Sequence, residues 1–309
     1  MNHINKTKVT FFVLSGLTED DQLVPFLFTF FLIVYLVCVV LNLGMIYIIL
    51  TAANLRTPMY HFLGFLSLVD LVYSSAVTPK MLADLTTKLK LISFEGCMIQ
   101  FFFFDLLVVT EAILFSTMAY DRYVAICHPL HYVSVMTNKK CSCLIIFAFS
   151  GGFLHSVAQT SCVFSLDFCG SNFIDDFYCD TSPLLNLACS NSLLCNYITI
   201  FAVISCGMGP LTMILVSYGL IIFSILQIKS TEGRMKAFST CSSHLMCVSI
   251  FYGTVFFIYL QPPAKVLTKQ EKVASIFYTV IIPMLNPLIY SLRNQEVKRA
   301  IRGALHRCL

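Results

Sequence analysis

Residues 22–55 read QLVPFLFTFFLIVYLVCVVLNLGMIYIILTAANL and contain no Asp, Glu, Lys or Arg. A helix that crosses a membrane needs about 20 consecutive, mostly apolar residues, so this stretch is long enough to span a bilayer. The remainder of the 309-residue chain has the same character, with 58% hydrophobic and 12% charged residues and a mean hydropathy of +0.82. A soluble globular chain carries about 25% charged residues. The composition therefore excludes a soluble enzyme and a disordered chain, and it predicts a protein that crosses the membrane several times.

Six further apolar segments follow the first. The predicted spans are residues 24–50, 58–82, 97–122, 142–162, 196–228, 238–260 and 272–292. The uncharged run 181–228 is long enough for two spans, but Pro183 and the Cys, Asn and Ser residues of 163–195 are typical of a loop, so we expect one loop and one helix. Continuous apolar runs also argue against a β-barrel. The predicted fold class is an all-α membrane bundle of seven transmembrane helices.

The whole chain is predicted to form one domain, because it shows neither internal repeats nor a long linker. Its parts are an external tail at residues 1–23, the bundle at 24–292 and a cytoplasmic tail at 293–309 that forms a short amphipathic helix. No signal peptide is visible, so the first helix is expected to act as its own insertion signal.

Basic residues predict the orientation of the bundle. The first, third and fifth connections and the C-terminal tail hold Arg56, Arg122, Lys139, Lys140, Lys229, Arg234, Lys236, Arg293, Lys298, Arg299, Arg302 and Arg307. We therefore expect a multi-pass protein of the plasma membrane with its C-terminus in the cytoplasm and its N-terminus outside. The one N-x-Ser/Thr sequon, at Asn5, then lies on the external side, where glycosylation is possible.

The 14 cysteines divide between the two sides. Cys97, Cys169, Cys179 and Cys189 lie in external segments or at an external helix end, where the compartment is oxidising. Free thiols are expected near the reducing side, at Cys127, Cys141, Cys143, Cys241 and Cys308. No C-x-x-C pattern or zinc spacing occurs, so we expect no metal site of that kind.

Two acids, Asp70 and Glu111, lie near the middle of the second and third spans. Ionisable groups inside a membrane are costly and are functional hypotheses by default, and two close carboxylates in a medium of low dielectric constant cannot both remain bare and ionised. Either a cation such as Na⁺ lies between them or they share a proton. The alternative is a purely structural pair satisfied by hydroxyl and Asn side chains. Beyond this possible ion we expect no cofactor.

A third acid, Asp105, lies on an apolar face of the third span with Phe101, Phe104, Val108, Val109 and Ala112. Tyr252, Val255, Phe256 and Tyr259 form a similar stripe on the sixth span. Such stripes are more often core packing than ligand contacts. A lone acid needs a partner, however, which could be a ligand cation or hydroxyl, a side chain such as His155, or a bound proton.

Other polar and helix-breaking residues indicate a switching bundle. Asp121-Arg122-Tyr123 places an acid and a base at the cytoplasmic edge of the third span, although Arg122 could simply snorkel to the interface. Gly207 and Gly209-Pro210 in the fifth span, and Pro283 and Pro287 in the seventh, predict kinks. Kinked helices also occur in transporters.

Five motifs in order resemble those of the vertebrate odorant receptors, a family of rhodopsin-like G-protein-coupled receptors. They are LRTPMY at 55–60, MAYDRYVAIC at 118–127, Ser217-Tyr218, KAFSTCSSH at 236–244 and PMLNPLIY at 283–290. The match covers nearly the whole chain, and the motifs at 118–127 and 236–244 are highly specific. Many family members carry His where this chain has Asp105, so the usual pocket chemistry cannot be carried over at that position.

The resemblance implies a role for several groups of residues. It implies disulfides Cys97–Cys179 and Cys169–Cys189. It implies a buried polar cluster of Asn42, Asp70, Glu111 and Asn286. It implies a switch formed by Asp121, Arg122, Tyr123, Tyr218 and Tyr290. The ligand pocket it implies comprises Phe104, Asp105, Val108, Val109, Val203, Cys206, Tyr252, Phe256, Tyr259 and Thr279.

The function implied is that of an odorant receptor and not an enzyme. Its expected partners are a small volatile odorant, a heterotrimeric stimulatory G protein that raises cyclic AMP, and the lipid bilayer, with no nucleic acid. Three alternatives remain: a receptor for an amine or peptide anchored at Asp105, a transporter or channel with an ion path through Asp70 and Glu111, and a membrane enzyme. The motifs at 55–60 and 236–244 argue against the first, the lack of inverted repeats against the second, and the lack of a nucleophile near the buried acids against the third.

Overall fold

The computed structural model describes residues 9–18, 20–169, 171–259, 269–293 and 295–308. Its long helices are α1 (Val24–Thr51), α2 (Pro58–Leu85), α3 (Phe94–Cys127), α4 (Asn138–Phe164), α5 (Leu193–Gln227), α6 (Thr231–Tyr259), α7 (Lys269–Ile276, Phe277–Ile281 and Ile282–Arg293) and α8 (Gln295–Cys308). Shorter helical turns lie at Ala53–Leu55, Pro129–His131, Tyr132–Val135 and Thr181–Leu187. Helices α1 to α7 form the predicted seven-helix bundle, and α8 is the predicted C-terminal helix.

Six of the bundle helices are long and apolar enough to cross a membrane, and α6 contributes a shorter apolar stretch, Cys241–Phe257. The main difference from the predicted spans lies at the helix ends. α6 begins at Thr231, whereas its apolar span was predicted from residue 238, and α3 extends beyond the predicted span at both ends. A helix can continue past the apolar layer because its backbone hydrogen bonds are internal. The length of the apolar run therefore reflects the thickness of the membrane, and the helix itself can be longer.

Helix α1 shows how the bundle divides its apolar surface. Its buried residues, among them Cys38, Asn42, Met45 and Ile49, recur at helical spacing along one stripe. The opposite face is equally apolar yet exposed, with Phe26 74% and Leu50 72% accessible. An apolar face of this kind is stable in lipid and not in water, which agrees with the membrane assignment.

Close contact between α3 and α4 depends on a glycine. A Cβ added to Gly152 would lie 2.4 Å from Thr110 Oγ1 and 2.5 Å from the Leu106 carbonyl oxygen. One turn further on, the Ser156 hydroxyl donates a hydrogen bond of 2.6 Å to the Phe102 carbonyl. Small residues at a helix interface allow backbones to approach, so this pair of helices forms a rigid wall beside the cavity described below.

A small sheet caps one end of the bundle, which we call the sheet end. Strand β1 (Phe11–Leu14) lies between β2 (Leu91–Ser93), to which it is antiparallel, and β3 (Phe173–Ile174), to which it is parallel. Phe12 is fully buried in an apolar cluster that also contains Cys97 and Cys179. This sheet was not predicted from the sequence, which placed the residues of β1 in an external tail at residues 1–23. Four residues are too short a pattern to reveal a strand whose partners are distant in sequence.

Two helices contain π-helical segments, Val203–Met208 in α5 and Phe277–Ile281 in α7. The first ends where Gly209-Pro210 begins, because Pro210 has no N–H to donate to the preceding turn. The second ends just before Pro283. The predicted irregularities near Gly207 and Pro283 thus take the form of π segments, which widen a helix and are frequent at functional sites.

Candidate functional site

A cavity of about 300 Å³ lies among α3, α4, α5, α6 and α7. Seven of the ten predicted pocket residues line it: Asp105, Val108, Val109, Val203, Cys206, Tyr252 and Phe256. The wall is completed by residues that the sequence analysis did not assign to the pocket: Ala112, His155, Gln159, Thr181, Thr199, Ala202, Gly207, Met208, Phe251, Val255 and Tyr278. Most of these side chains are apolar, so the cavity suits a small molecule with few polar groups.

Three predicted pocket residues are not among those that line the cavity. Phe104 instead packs in an aromatic cluster, with ring centroids 5.2 Å from Tyr73 and 5.0 Å from Tyr178. Thr279 is fully buried and donates a hydrogen bond of 2.8 Å to the Ser275 carbonyl within α7. The side chain of Tyr259 lies outside the described residues.

The polar centre of the cavity is an ion pair between α3 and α4. Nε2 of His155 lies 3.1 Å from Oδ1 and 3.0 Å from Oδ2 of Asp105. The side chains are only 12% and 19% exposed, respectively. His155 was one of the partners considered for Asp105, and the structure brings the two together. The pair offers a ligand both a carboxylate acceptor and an imidazole within an otherwise apolar wall.

The π segment of α5 brings a thiol to the same wall. Cys206 is half-buried and unbridged, and its Sγ lies 3.7 Å from the Ser205 hydroxyl. His155 of α4 lines the same cavity as this thiol. The Tyr252 hydroxyl of α6 donates a hydrogen bond of 3.4 Å to the Gly207 carbonyl of α5.

Deeper in the bundle, the structure groups three of the four predicted cluster residues. The Asn286 amide nitrogen lies 3.2 Å from both carboxylate oxygens of Asp70 and 3.0 Å from Glu111 Oε1. Both acids are fully buried, and Oε2 of Glu111 has no hydrogen-bond partner among the described residues. Asn42 is separate, because its amide donates to the carbonyls of Cys38 and Pro283.

The switch residues lie toward the end of the bundle opposite the sheet. Tyr218 on α5 bonds to His244 on α6, with 2.8 Å between the hydroxyl and Nδ1, and Nε2 of His244 lies 3.0 Å from the Phe115 carbonyl on α3. Asp121 accepts a hydrogen bond of 2.9 Å from the Tyr132 hydroxyl. Tyr123 bonds His128 at 3.0 Å, and Arg122 and Tyr290 are buried. His244 lies in the motif at 236–244, but its link to Tyr218 was not predicted from the sequence.

Comparisons with known proteins agree with this architecture. The sequence model of the family described as olfactory receptor matches residues 31–307. This chain belongs to the olfactory receptor family. It is 50% identical to olfactory receptor 5AR1 of Mus musculus over 305 residues, 98% of this chain and 97% of that protein. It is 51% identical to olfactory receptor 8D1 of Homo sapiens, covering 95% and 96% of the two chains.

A solved structure supports the same fold. The crystal structure of squid rhodopsin superimposes with a TM-score of 0.75 at 18% identity, covering 94% of this chain and 87% of that one. The olfactory receptor described here is therefore a multi-pass membrane protein with the fold of rhodopsin-like G-protein-coupled receptors. Its family is not enzymatic.

Three disulfides reinforce the sheet end of this olfactory receptor. Cys97–Cys179 joins α3 to the segment between α4 and α5, and Cys169–Cys189 closes a loop within that segment, as the resemblance implies. A third bridge, Cys162–Cys195, ties the end of α4 to the start of α5 and was not predicted. Both cysteines fall within apolar runs, so only the proximity of the helices reveals the pair. The predicted glycosylation site Asn5 lies outside the described residues, as does the side chain of Cys308.

The segment between α4 and α5 covers the cavity and carries two buried acids. Burial raises the pKa of Asp180 to about 6; the Thr181 N–H opposes this rise and the charge of Asp105 adds to it. Burial and the charge of Asp180 also raise the pKa of Asp176 well above its usual range, although the Phe177 N–H and the Lys272 ammonium lower it. Lys272 of α7 bonds to Asp175 at 2.6 Å and to the Ser15 hydroxyl at 3.0 Å. It thereby links the segment between α4 and α5, which we call the lid, to α7 and to the N-terminal segment.

Proposed function

We propose that this olfactory receptor binds small volatile molecules in the cavity among α3 to α7 and activates a stimulatory G protein, which raises cyclic AMP. The observation that carries the proposal is the 300 Å³ apolar cavity with a single ion pair, Asp105–His155, in its wall. A cavity of this size and composition accommodates one small organic molecule.

The ion pair indicates the chemistry of the ligand. A cationic amine would have to displace His155 from Asp105, whereas a hydroxyl can donate to the carboxylate while the pair persists. We therefore favour apolar ligands that carry one hydroxyl, with amines as the second class. A receptor for a conventional amine or peptide is a weaker alternative for the same reason.

The expected affinity is modest. A ligand of about 12 heavy atoms at ~0.4 kcal/mol per atom gains about 5 kcal/mol, which corresponds to a Kd of roughly 0.2 mM. Apolar contacts dominate the wall, so one methylene changes binding by only about 1–3 kcal/mol. The receptor is accordingly expected to respond to a range of related molecules.

The proposed orientation is supported by the disulfides and the basic residues. All three bridges lie at the sheet end, and disulfides persist in oxidising compartments, whereas the basic segments lie at the opposite end. We place the sheet end outside the cell and the C-terminus in the cytoplasm, where the G protein binds.

Activation is proposed to couple these two ends. A ligand that binds the active arrangement more tightly shifts the population toward it. The cytoplasmic end of α6 then moves outward, Tyr218 leaves His244, and Arg122 turns toward Tyr218 and Tyr290. The groove that opens between the basic segments receives the G protein.

The buried acids are proposed to stabilise the resting arrangement. One Asn286 amide serves both Asp70 and Glu111, and it cannot compensate two full charges. A shared proton or a bound Na⁺ supplies the missing compensation.

The decisive experiment measures cyclic AMP responses of wild type and Asp105→Asn to matched alcohols, amines and alkanes, normalised to surface expression. Loss of preference for alcohols in the variant supports the proposed polar contact. An unchanged ranking of ligands would show that Asp105 does not select them. Asp20→Asn, which alters an exposed carboxylate near the sheet end, is the matched control.

A further inference from the structure

Cys206 combines three properties that the proposed function does not use. It is unbridged, it is only half-buried, and it lines the ligand cavity. Among the free cysteines of the described ranges, which also include Cys38, Cys127, Cys141, Cys143, Cys241 and Cys247, it is the one in the cavity wall. A small molecule that enters the cavity therefore meets a thiol.

The surroundings of this thiol are those of an assisted nucleophile. His155 and Cys206 line the same cavity wall. Nε2 of His155 lies 3.0 Å from the Asp105 carboxylate, so the ion pair holds the imidazolium in that wall. A cation near a thiol favours the thiolate, which is the nucleophilic form of cysteine. The imidazolium therefore activates Cys206, and the sulfur is the attacking atom.

The cavity selects the electrophile. Its wall is mainly apolar, so it holds small apolar molecules and excludes large or highly charged reagents. Thiolates react readily with polarisable carbon electrophiles, and confinement beside the sulfur raises the effective concentration of the reagent. Small α,β-unsaturated aldehydes and ketones satisfy both requirements.

We propose that Cys206 is a covalent capture site for small α,β-unsaturated carbonyl compounds. The sulfur attacks the β-carbon and forms a C–S bond while the C=C bond opens to an enolate. The thiol proton is released to water, and one proton from water adds to the α-carbon of the enolate. All atoms of both reactants remain in the adduct, no group leaves, and no oxidant or reductant is needed.

Covalent capture gives such ligands a residence time that noncovalent odorants lack. The response to an enal should therefore outlast washing, whereas the response to its saturated counterpart should decay at once. This consequence rests on the proposed function, but formation of the adduct does not, so the two can fail separately.

The experiment incubates the full-length receptor in detergent micelles with trans-2-hexenal and measures labelling of each cysteine over time by peptide mass spectrometry. We expect Cys206 to gain the full mass of the probe at least about tenfold faster than Cys127, a half-buried free cysteine outside the cavity. Hexanal, which has no C=C bond, should give no such adduct. Labelling of Cys206 at the rate of Cys127 would overturn the proposal.

One variant and one protection experiment separate the chemistry of Cys206 from its exposure. His155→Gln removes the cation that favours the thiolate and should slow labelling of Cys206 about tenfold or more, without changing Cys127. An unchanged rate in a variant that keeps the wild-type unfolding temperature would contradict the role of His155. If His155→Gln does not fold, a protection experiment on the wild type replaces it. Excess 1-hexanol should slow the labelling of Cys206 by trans-2-hexenal and leave the labelling of Cys127 unchanged. Absence of that shielding would place the reaction outside the cavity and also overturn the proposal.

Discussion

The Tyr218 hydroxyl donates a hydrogen bond to Nδ1 of His244 across the interface between α5 and α6, at 2.8 Å. The direction follows from the other ring nitrogen, because Nε2 lies 3.0 Å from the Phe115 carbonyl, which can only accept. Neutral His244 therefore joins three helices with two hydrogen bonds. In the proposed switch, this geometry is assigned to the resting state.

His244→Phe should raise basal signalling. The ring volume is kept, but both hydrogen bonds are lost, and each bond contributes about 0.5–1.5 kcal/mol. The balance between resting and active arrangements should shift by roughly tenfold, measured as ligand-free cyclic AMP per receptor at the surface. Met246→Ala changes a partly exposed residue of α6 and serves as control. Basal signalling at the wild-type level would contradict the resting role of His244.

Arg122→Ala should abolish signalling while the receptor still reaches the cell surface. Arg122 is buried beside the proposed G-protein groove, and its loss removes the group that turns toward Tyr218 and Tyr290. The measurement is cyclic AMP per surface receptor. Lys88→Ala removes an exposed basic residue at the sheet end and should retain the response. Surviving signal in Arg122→Ala would show that the switch assignment is wrong.

Cys97→Ser should block maturation or the ligand response. Cys97 and Cys179 are both fully buried, and removing a native bridge typically costs about 2–5 kcal/mol. Surface labelling and cyclic AMP are the readouts. Cys143→Ser, at an exposed free thiol of α4, controls for loss of a sulfur. Normal trafficking together with a normal response would count against a necessary bridge.

Mild acid should stabilise the lid over the cavity. The folded pKa of Asp180, about 6, exceeds its ordinary value of 3.8. The folded state therefore binds more protons in this interval, and the free energy of unfolding falls as pH rises through it. The unfolding temperature of the purified receptor should be higher at pH 5 than at pH 7.5, and Asp180→Asn should reduce that difference. Part of it should remain because of Asp176. Asp20→Asn should leave the difference intact; an equal difference in wild type and Asp180→Asn would refute the assignment.

Gly152→Ala should destabilise the receptor, because the new methyl would overlap Thr110 and the Leu106 carbonyl. Overpacking of this kind costs about 1–3 kcal/mol, seen as a lower unfolding temperature. Gly44→Ala on α1 is the matched control, since nothing lies within 4 Å of its added methyl. An equal effect of both substitutions would mean that α3 and α4 can separate without cost.

The apolar runs were sufficient to predict the bundle, because the membrane imposes length and composition on each helix. The bridges Cys97–Cys179 and Cys169–Cys189 and the cavity residues Val203 and Cys206 were predicted only through the resemblance to a family. The stripe on α3 located Asp105, Val108 and Val109 correctly on the cavity face but could not show that Phe104 turns into an aromatic cluster. Periodicity identifies a face and not the neighbour that covers it.

Other features arise only from tertiary proximity. Cys162 and Cys195 look like ordinary apolar positions until α4 and α5 are placed side by side. His244 lies in a motif recognised in the sequence, yet its two partners lie on α3 and α5. Asn42 was grouped with the buried acids, but its amide donates to the Cys38 and Pro283 carbonyls, and a sequence pattern does not show which carbonyl lies within reach of a side chain.

The position of β1 has a consequence for biosynthesis. Val13 pairs with Phe173, a partner that leaves the ribosome about 160 residues later, roughly 10–30 s at ordinary rates of translation. Until then Phe12, which is fully buried in the finished protein, lacks the Phe168 ring that packs against it at 5.5 Å. A newly made chain therefore exposes this apolar segment to chaperones before the sheet can form. We expect the yield of mature receptor to depend on how well the cell shields residues 11–14 during that interval.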